Sequence, residues 1–230
     1  MPKTILITGA NGNLGAATVK QFLDKGYKVI AVDQSGTHLG FAAGNDNFEL
    51  KAVDAADEAA VATFVEEVIA LNGRIDGAML LVGGFAMGDI DATDGNALRN
   101  MMTMNFETAY FFARPLFRHM LGLGYGRLAF MGARPALRPE QGKSALAYAL
   151  SKSLLFELAE ILNAEAKGKN VVASVIAPST IATPVNRQSM PGADPNNWVK
   201  PADIAALLEF ICSKEGDALR EPVYKIYNNS

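Results

Sequence analysis

Short runs of consecutive apolar residues alternate along the chain with longer stretches in which apolar residues recur every three or four positions. Residues 4–8, 28–32, 48–53, 77–82, 126–131, 170–177 and 222–227 are the short runs, and they read as strands. They are continuous rather than alternating, as expected of strands covered on both faces of a parallel sheet. Helical spacing predicts helices near 14–25, 57–72, 96–121, 145–167 and 201–213. In the fourth, Leu146, Leu150, Leu154, Leu158 and Ile161 share one broad face. Parallel neighbours need crossovers, so the alternation predicts an α/β fold: one doubly wound parallel sheet with helices on both faces, formed by residues 1–230 as a single domain. No repeat or linker divides it. The long irregular stretch 178–200, rich in Pro, Asn and Ser, is expected to be a substrate lid or binding segment.

Composition narrows the function. Half of the residues are hydrophobic and a fifth are charged, enough for a sizeable core and contrary to a disordered chain. Lys plus Arg number 21 against 24 for Asp plus Glu, a net charge of -3 with no basic block. Nucleic acid and anionic membrane are therefore not expected partners. Cys212 has no second cysteine to pair with, and His38 and His119 are too far apart in sequence to suggest a metal site with it. No apolar run reaches bilayer length, and the chain enters its first strand without a signal-peptide pattern, so a cytoplasmic location is expected.

Candidate chemistry begins at the first strand. Residues 4–15 read TILITGANGNLG: a strand, then Gly9, Gly12 and Gly15 at three-residue spacing, then a helix. Glycines there allow a tight turn, close approach to a pyrophosphate and close helix–strand packing. The helix N-terminus, with Asn11, Asn13 and Leu14 in the loop around it, offers free N–H groups to phosphate. Asp33 closes the second strand 18 residues after Gly15, near the distance expected for a carboxylate on an adenosine ribose. Its charge would repel a 2′-phosphate, and no Lys or Arg lies between residues 29 and 50 to attract one. NAD(H) is therefore favoured over NADP(H). Asp54, after the third strand, is placed either to accept from the adenine amine or to cap the helix starting near Asp57. Tyr148 and Lys152 lie four apart on a helix and so share a face. A neighbouring ammonium is expected to lower the phenol pKa and suit it to proton transfer.

With these residues in place, nearly the whole chain resembles the short-chain dehydrogenase/reductase superfamily, which implies a Rossmann-type fold and a nicotinamide-dependent oxidoreductase. TGANGNLG resembles the family's glycine motif. Val82, Gly83, Gly84 and Phe85 stand where the family often has Asn-Asn-Ala-Gly, so that element is altered. Asn105 looks like the family asparagine that bends its helix and joins a water relay to the lysine. Tyr148 and Lys152 match the catalytic pair. Pro178, Ile181 and Thr183 are similar to the element whose isoleucine backbone and threonine hydroxyl meet the nicotinamide carboxamide. The resemblance also implies a small-molecule substrate and a homodimer or homotetramer through the helices near 96–121 and 145–167.

One departure bears on the substrate. Where the family serine polarises a substrate carbonyl, this chain has Ala133. Losing such a donor typically costs about 10²–10³ in turnover where charge develops on oxygen. Ser144 is placed to substitute only in part. The stretch 133–152, and the run from Thr183 to Trp198, resemble the dihydropteridine reductase branch, which also lacks the serine and prefers NADH. That branch reduces a conjugated C=N system, where proton delivery to nitrogen by Tyr148 needs no separate oxygen donor. Trp198 is the aromatic candidate for a substrate lid, or an anchor for its loop. The alternatives are a reductase of another carbonyl or enone, and a dinucleotide-binding redox sensor or scaffold.

Overall fold

The computed structural model describes residues 2–229. Its sheet is built from β1 (Thr4–Thr8), β2 (Lys28–Val32), β3 (Phe48–Lys51), β4 (Gly77–Leu80), β5 (Tyr125–Met131), β6 (Asn170–Pro178) and β7 (Val223–Ile226), all pairings parallel, in the order β3-β2-β1-β4-β5-β6-β7. Around it lie α1 (Asn13–Asp24), α2 (Glu58–Asn72), α3 (Gly95–Met102), α4 (Thr108–Leu123), α5 (Arg134–Leu137), α6 (Pro139–Gly142), α7 (Leu146–Glu165), α8 (Pro184–Ser189) and α9 (Pro201–Cys212). This is the Rossmann-type, doubly wound arrangement. The chain moves outward from β1 to β3, then crosses back to place β4 on the other side of β1. Such a reversal opens a crevice at the carboxyl ends of β1 and β4.

The continuous apolar strands follow from two cores. Leu6, Ile30, Leu80 and Phe130 point to one face, against Phe64 of α2, Phe112 of α4 and Leu155 of α7. Ile5, Ile7, Val29 and Met79 point to the other, against Phe22 of α1 and Leu208 of α9. With both faces covered, alternate positions of the central strands are apolar on either side almost throughout, whereas the edge strands β3 and β7 are only partly buried and carry Glu49, Lys51 and Lys225. At the opposite end of the sheet from the crevice, Arg127 of β5 is fully buried. Its guanidinium donates to the carbonyls of Ile211, Gly126, Asn170 and Asp217 and to Asn170 Oδ1.

Two segments differ from the pattern read in sequence. The helix expected over 96–121 is interrupted by a π-type turn, Thr103–Glu107, between α3 and α4. A π-type turn inserts an extra residue, which apolar spacing does not register. Residues 178–200 are not a structureless loop. Thr183 caps α8, accepting from the Asn186 N–H at 3.2 Å with Pro184 in the first turn. The base of the segment is pinned by Ala182 N–H to Val199 O (2.8 Å) and Val199 N–H to Thr180 O (2.9 Å).

Candidate active site

The glycine loop carries a cradle that side chains would fill. A Cβ at Gly15 would collide with Gly9 O and the Ala10 backbone, so this glycine lets α1 pack directly on the loop. Gly9 has φ +64, a left-handed conformation that favours glycine. Gly12 forms the N-cap of α1 without any side-chain cap, leaving N–H groups in the first turn, including Asn13 and Leu14, for a ligand. Beside this loop lies a groove of about 780 Å³. Gly9, Gly12, Asp33, Asp54, Gly83 and Met104 are among its lining residues. The space, the small residues and the uncapped helix end fit the diphosphate and adenosine of a dinucleotide.

Asp33 sits at the rim where β2 ends, with Oδ2 accepting from the Asn11 N–H at 3.0 Å. Asp54 accepts from the Ala56 N–H at 2.9 Å, while Asp57 is the residue that caps α2. Of the two readings of Asp54, the cap therefore goes to Asp57, and Asp54 remains a lining residue of the groove.

The second half of the site lies where α7 meets the end of β5. Lys152 is buried, and its Nζ donates to Met131 O at 2.8 Å. Burial lowers its pKa to about 8. Tyr148, one turn earlier, is pushed up to about 12, also by burial. This corrects the expectation that the lysine lowers the phenol: desolvation favours neutral phenol over phenolate, and the ammonium is engaged with a carbonyl instead. Asn105 is fully buried on the π-type turn. Its Oδ1 accepts from Gly84 N–H (2.9 Å) and its Nδ2 donates to Ser151 Oγ (3.1 Å). Ser151 Oγ in turn donates to Tyr148 O at 2.9 Å. A Cβ at Gly83 would stand 2.8 Å from both Asn105 Oδ1 and Lys152 Nζ, so these groups meet around a position only glycine leaves open.

Other predicted residues fall on the same rim. Pro178 ends β6, and Ile181 and Thr183 follow it at the foot of the α8 segment. Ile181 O accepts from Asn186 Nδ2 at 2.8 Å. Ala133 is buried just after β5, and its side chain offers no hydrogen-bond donor. Ser144 is exposed, with its carbonyl bonded to Gly88 N–H at 2.9 Å. Trp198 is 4 % exposed, so it presents no lid surface; its carbonyl accepts from Asn228 Nδ2 at 3.0 Å, and it anchors the loop.

Sequence spacing did not single out Phe85. Its ring is 60 % exposed and meets the Tyr148 ring edge-on, with centroids 4.9 Å apart. A backbone bridge between Gly88 and Ala145, residues far apart in sequence, joins the two segments three residues from each ring. Ser151 was missed too, although its place one helical turn after Tyr148 and next to Lys152 was a usable signal.

The short chain dehydrogenase family model matches residues 3–194. The chain is 26 % identical over 231 residues to an acetoacetyl-CoA reductase of Acinetobacter sp. (strain RA3849), covering 93 % of this chain and 92 % of the relative. It is also 26 % identical over 211 residues to a dihydropteridine reductase of Dictyostelium discoideum, covering 90 % and 87 % respectively. In fold it is similar to ElxO solved with NADP bound, with a TM-score of 0.89 at 18 % identity over 98 % of this chain and 97 % of that one.

Proposed function

The chain belongs to the short chain dehydrogenase family, and from that premise we propose that it is an NADH-preferring reductase of a small planar substrate, most closely a quinonoid dihydropterin. The glycine cradle and α1 N-terminus would hold the pyrophosphate, Asp33 the adenosine ribose, and Lys152, Ile181 and Thr183 the nicotinamide end, with Gly83 and Gly84 lining the path between. When bound, the dinucleotide supplies the hydride.

The observation that carries the substrate class is the pairing of a buried Ala133 with Tyr148 set against the exposed Phe85 ring. A flat heterocycle can lie against that ring, and reduction across a conjugated C=N system develops charge on nitrogen rather than on an oxygen beside Ala133. Tyr148, held protonated with a pKa of about 12, donates its proton to that nitrogen. That leaves a phenolate, whose charge the Lys152 ammonium on the same helix face offsets until a solvent proton restores the phenol. Asn105 fixes the Gly84 backbone and connects Ser151 to the pair. Exposed Leu150, Leu154 and Ile161 on α7, with Tyr110 and Leu123 on α4, support a homodimer or homotetramer through these helices.

The test is NADH oxidation by purified protein with a quinonoid dihydropterin, run beside NADPH and a Tyr148→Phe variant. Turnover that prefers NADH and drops by about 10²–10⁴ in the variant is the expected result. Tight NADH binding without turnover would remove the pterin assignment.

A further inference from the structure

The cofactor preference proposed above leans on one carboxylate, yet a second structure stands beside it. Asn11, at the tip of the glycine loop, is engaged through each of its polar groups. Its N–H donates to Asp33 Oδ2 at 3.0 Å. Its Nδ2 donates to Ser35 Oγ (2.7 Å) and Thr37 Oγ1 (3.2 Å). Its Oδ1 accepts from the His38 N–H at 2.7 Å, and its carbonyl lies 2.7 Å from His38 Nδ1, a bond that requires the proton on that ring nitrogen. Only a side chain that both donates and accepts at its tip can close this set.

The far side of the same segment is held as well. Gln34 Nε2 donates to Val53 O at 2.8 Å, and Leu39 is buried in the core beneath α1. Residues 34–38 therefore cannot swing away from the loop without losing bonds on both sides.

We propose that Asn11 and His38 form a clasp that closes the adenosine end of the groove to a 2′-phosphate, so that cofactor choice is set by the clasp together with Asp33. This inference rests on the dinucleotide reading above. A 2′-phosphate brings extra negative charge and needs donors to receive it. The donors around this rim are held in two sets: Asp33 accepts from the Asn11 N–H and, at 3.4 Å, from the Ser35 N–H, while in the clasp the Asn11 Nδ2 is committed to two hydroxyl oxygens and the His38 N–H to Asn11 Oδ1. Removing the Asp33 charge relieves repulsion and loosens the two backbone N–H groups it held, but leaves the clasp itself closed. Removing the Asn11 side chain releases the His38 N–H and leaves the Ser35 and Thr37 hydroxyls, until then held in place as acceptors of the Asn11 amide, able to turn their own O–H groups toward a phosphate at the rim. Asn11 is thus a positioning residue for specificity.

The test is calorimetric affinity for NADH and NADPH in the wild type, Asp33→Asn, Asp33→Asn with Asn11→Ala, and that double variant with Ser35→Ala and Thr37→Ala added. Asp33→Asn is expected to raise the NADPH-to-NADH affinity ratio by no more than about tenfold. Adding Asn11→Ala should raise it by about tenfold again or more, since each released donor can meet a charged acceptor. Removing the two hydroxyls should cancel most of that second gain. Should the Asn11→Ala combination fail to fold, Asn11→Gly in the Asp33→Asn background, which likewise leaves no polar side chain at the loop tip, is read the same way. A ratio unchanged by opening the clasp, both dinucleotides weakening alike, overturns the proposal, as does full inversion of preference by Asp33→Asn alone. A wild type that prefers NADPH overturns the clasp and the NADH preference but leaves the dinucleotide site standing. A wild type that binds neither refutes the dinucleotide reading itself.

Discussion

Gly83→Ala places one methyl group at the meeting point of the site. Gly83 is not in the left-handed region, so alanine can adopt its backbone, and the cost is one of contact alone. The new Cβ would lie 2.8 Å from Asn105 Oδ1 and 2.8 Å from Lys152 Nζ, both inside van der Waals distance. Neither partner gives way freely. Lys152 Nζ is buried on Met131 O, and Asn105 is buried between Gly84 N–H and Ser151 Oγ. Overpacking of this kind costs about 1–3 kcal/mol. At about 2–4 °C per kcal/mol for a chain of this size, the melting temperature should fall by about 2–12 °C.

Gly84→Ala is the matched control. There the added Cβ would run into Met104 Sδ, but Met104 is 42 % exposed and its thioether can rotate outward. The two variants add the same methyl to neighbouring residues, so intrinsic propensity is nearly the same in both. Thermal unfolding of the cofactor-free protein, with NADH affinity measured beside it, separates them. Gly83→Ala should lose both stability and dinucleotide affinity, and Gly84→Ala should change the melting temperature by less than about 2 °C. Equal effects in the two variants would refute the claim that Lys152 and Asn105 are held rigidly around Gly83.

Lys152 makes a pH prediction whose sign is opposite to that of an ordinary paired lysine. Its pKa falls from 10.5 to about 8 on folding, so between these values the unfolded chain holds a proton that the folded chain has lost. Stability from this group therefore rises with pH through that window, and by about pH 9.5 the gain over neutral pH is about 2 kcal/mol. The difference between wild-type and Lys152→Met unfolding curves isolates it from Tyr148 and Cys212, whose raised values act in the other direction at higher pH. A flat difference curve would show that Lys152 is not desolvated. Arg127→Met should cost about 3–5 kcal/mol, because it leaves the carbonyls of Ile211, Asn170 and Asp217 buried without their donor. A loss of less than about 3 °C in melting temperature would refute that role.

The sequence disclosed what depends on short-range geometry. The runs are legible as strands because two cores cover both faces of the central ones, while the edge strands β3 and β7, partly exposed, keep short apolar segments around Glu49 and Lys225. The glycine loop is legible because the spacing of Gly9, Gly12 and Gly15 serves one tight turn and one helix contact. Tyr148 and Lys152 are legible because a helix puts positions four apart on one face. What stayed hidden depends on pairings between distant segments. The π-type turn turns Asn105 inward without altering the apolar rhythm that predicted one long helix. Phe85 meets Tyr148 where the Gly88–Ala145 bridge joins their two segments. Trp198 reads as exposed because its neighbours are polar, yet the Thr180–Val199 backbone bonds fold its segment back and bury it. The bonds of Asn11 to residues 35–38 join two loops whose separate sequences reveal neither partner.

The same long-range burial explains why the expected electrostatics of the pair were reversed. A lysine four residues from a tyrosine on an exposed helix would favour phenolate; here Lys152 is taken out of water and Tyr148 partly so, and desolvation acts on each in the direction of its neutral form. A phenol with a pKa of about 12 keeps its proton until a strong base develops next to it. Under the proposed pose, ketone reduction would develop that base on an oxygen near the Ala133 methyl group, which has no side-chain donor to share the charge. Hydride entry into a conjugated C=N system develops it on a nitrogen, spreads it over a ring and asks for one proton. A protonated Tyr148 beside a flat aromatic face meets that demand alone, and this is the physical argument behind the proposal that a site with alanine in place of a polarising serine takes a C=N substrate.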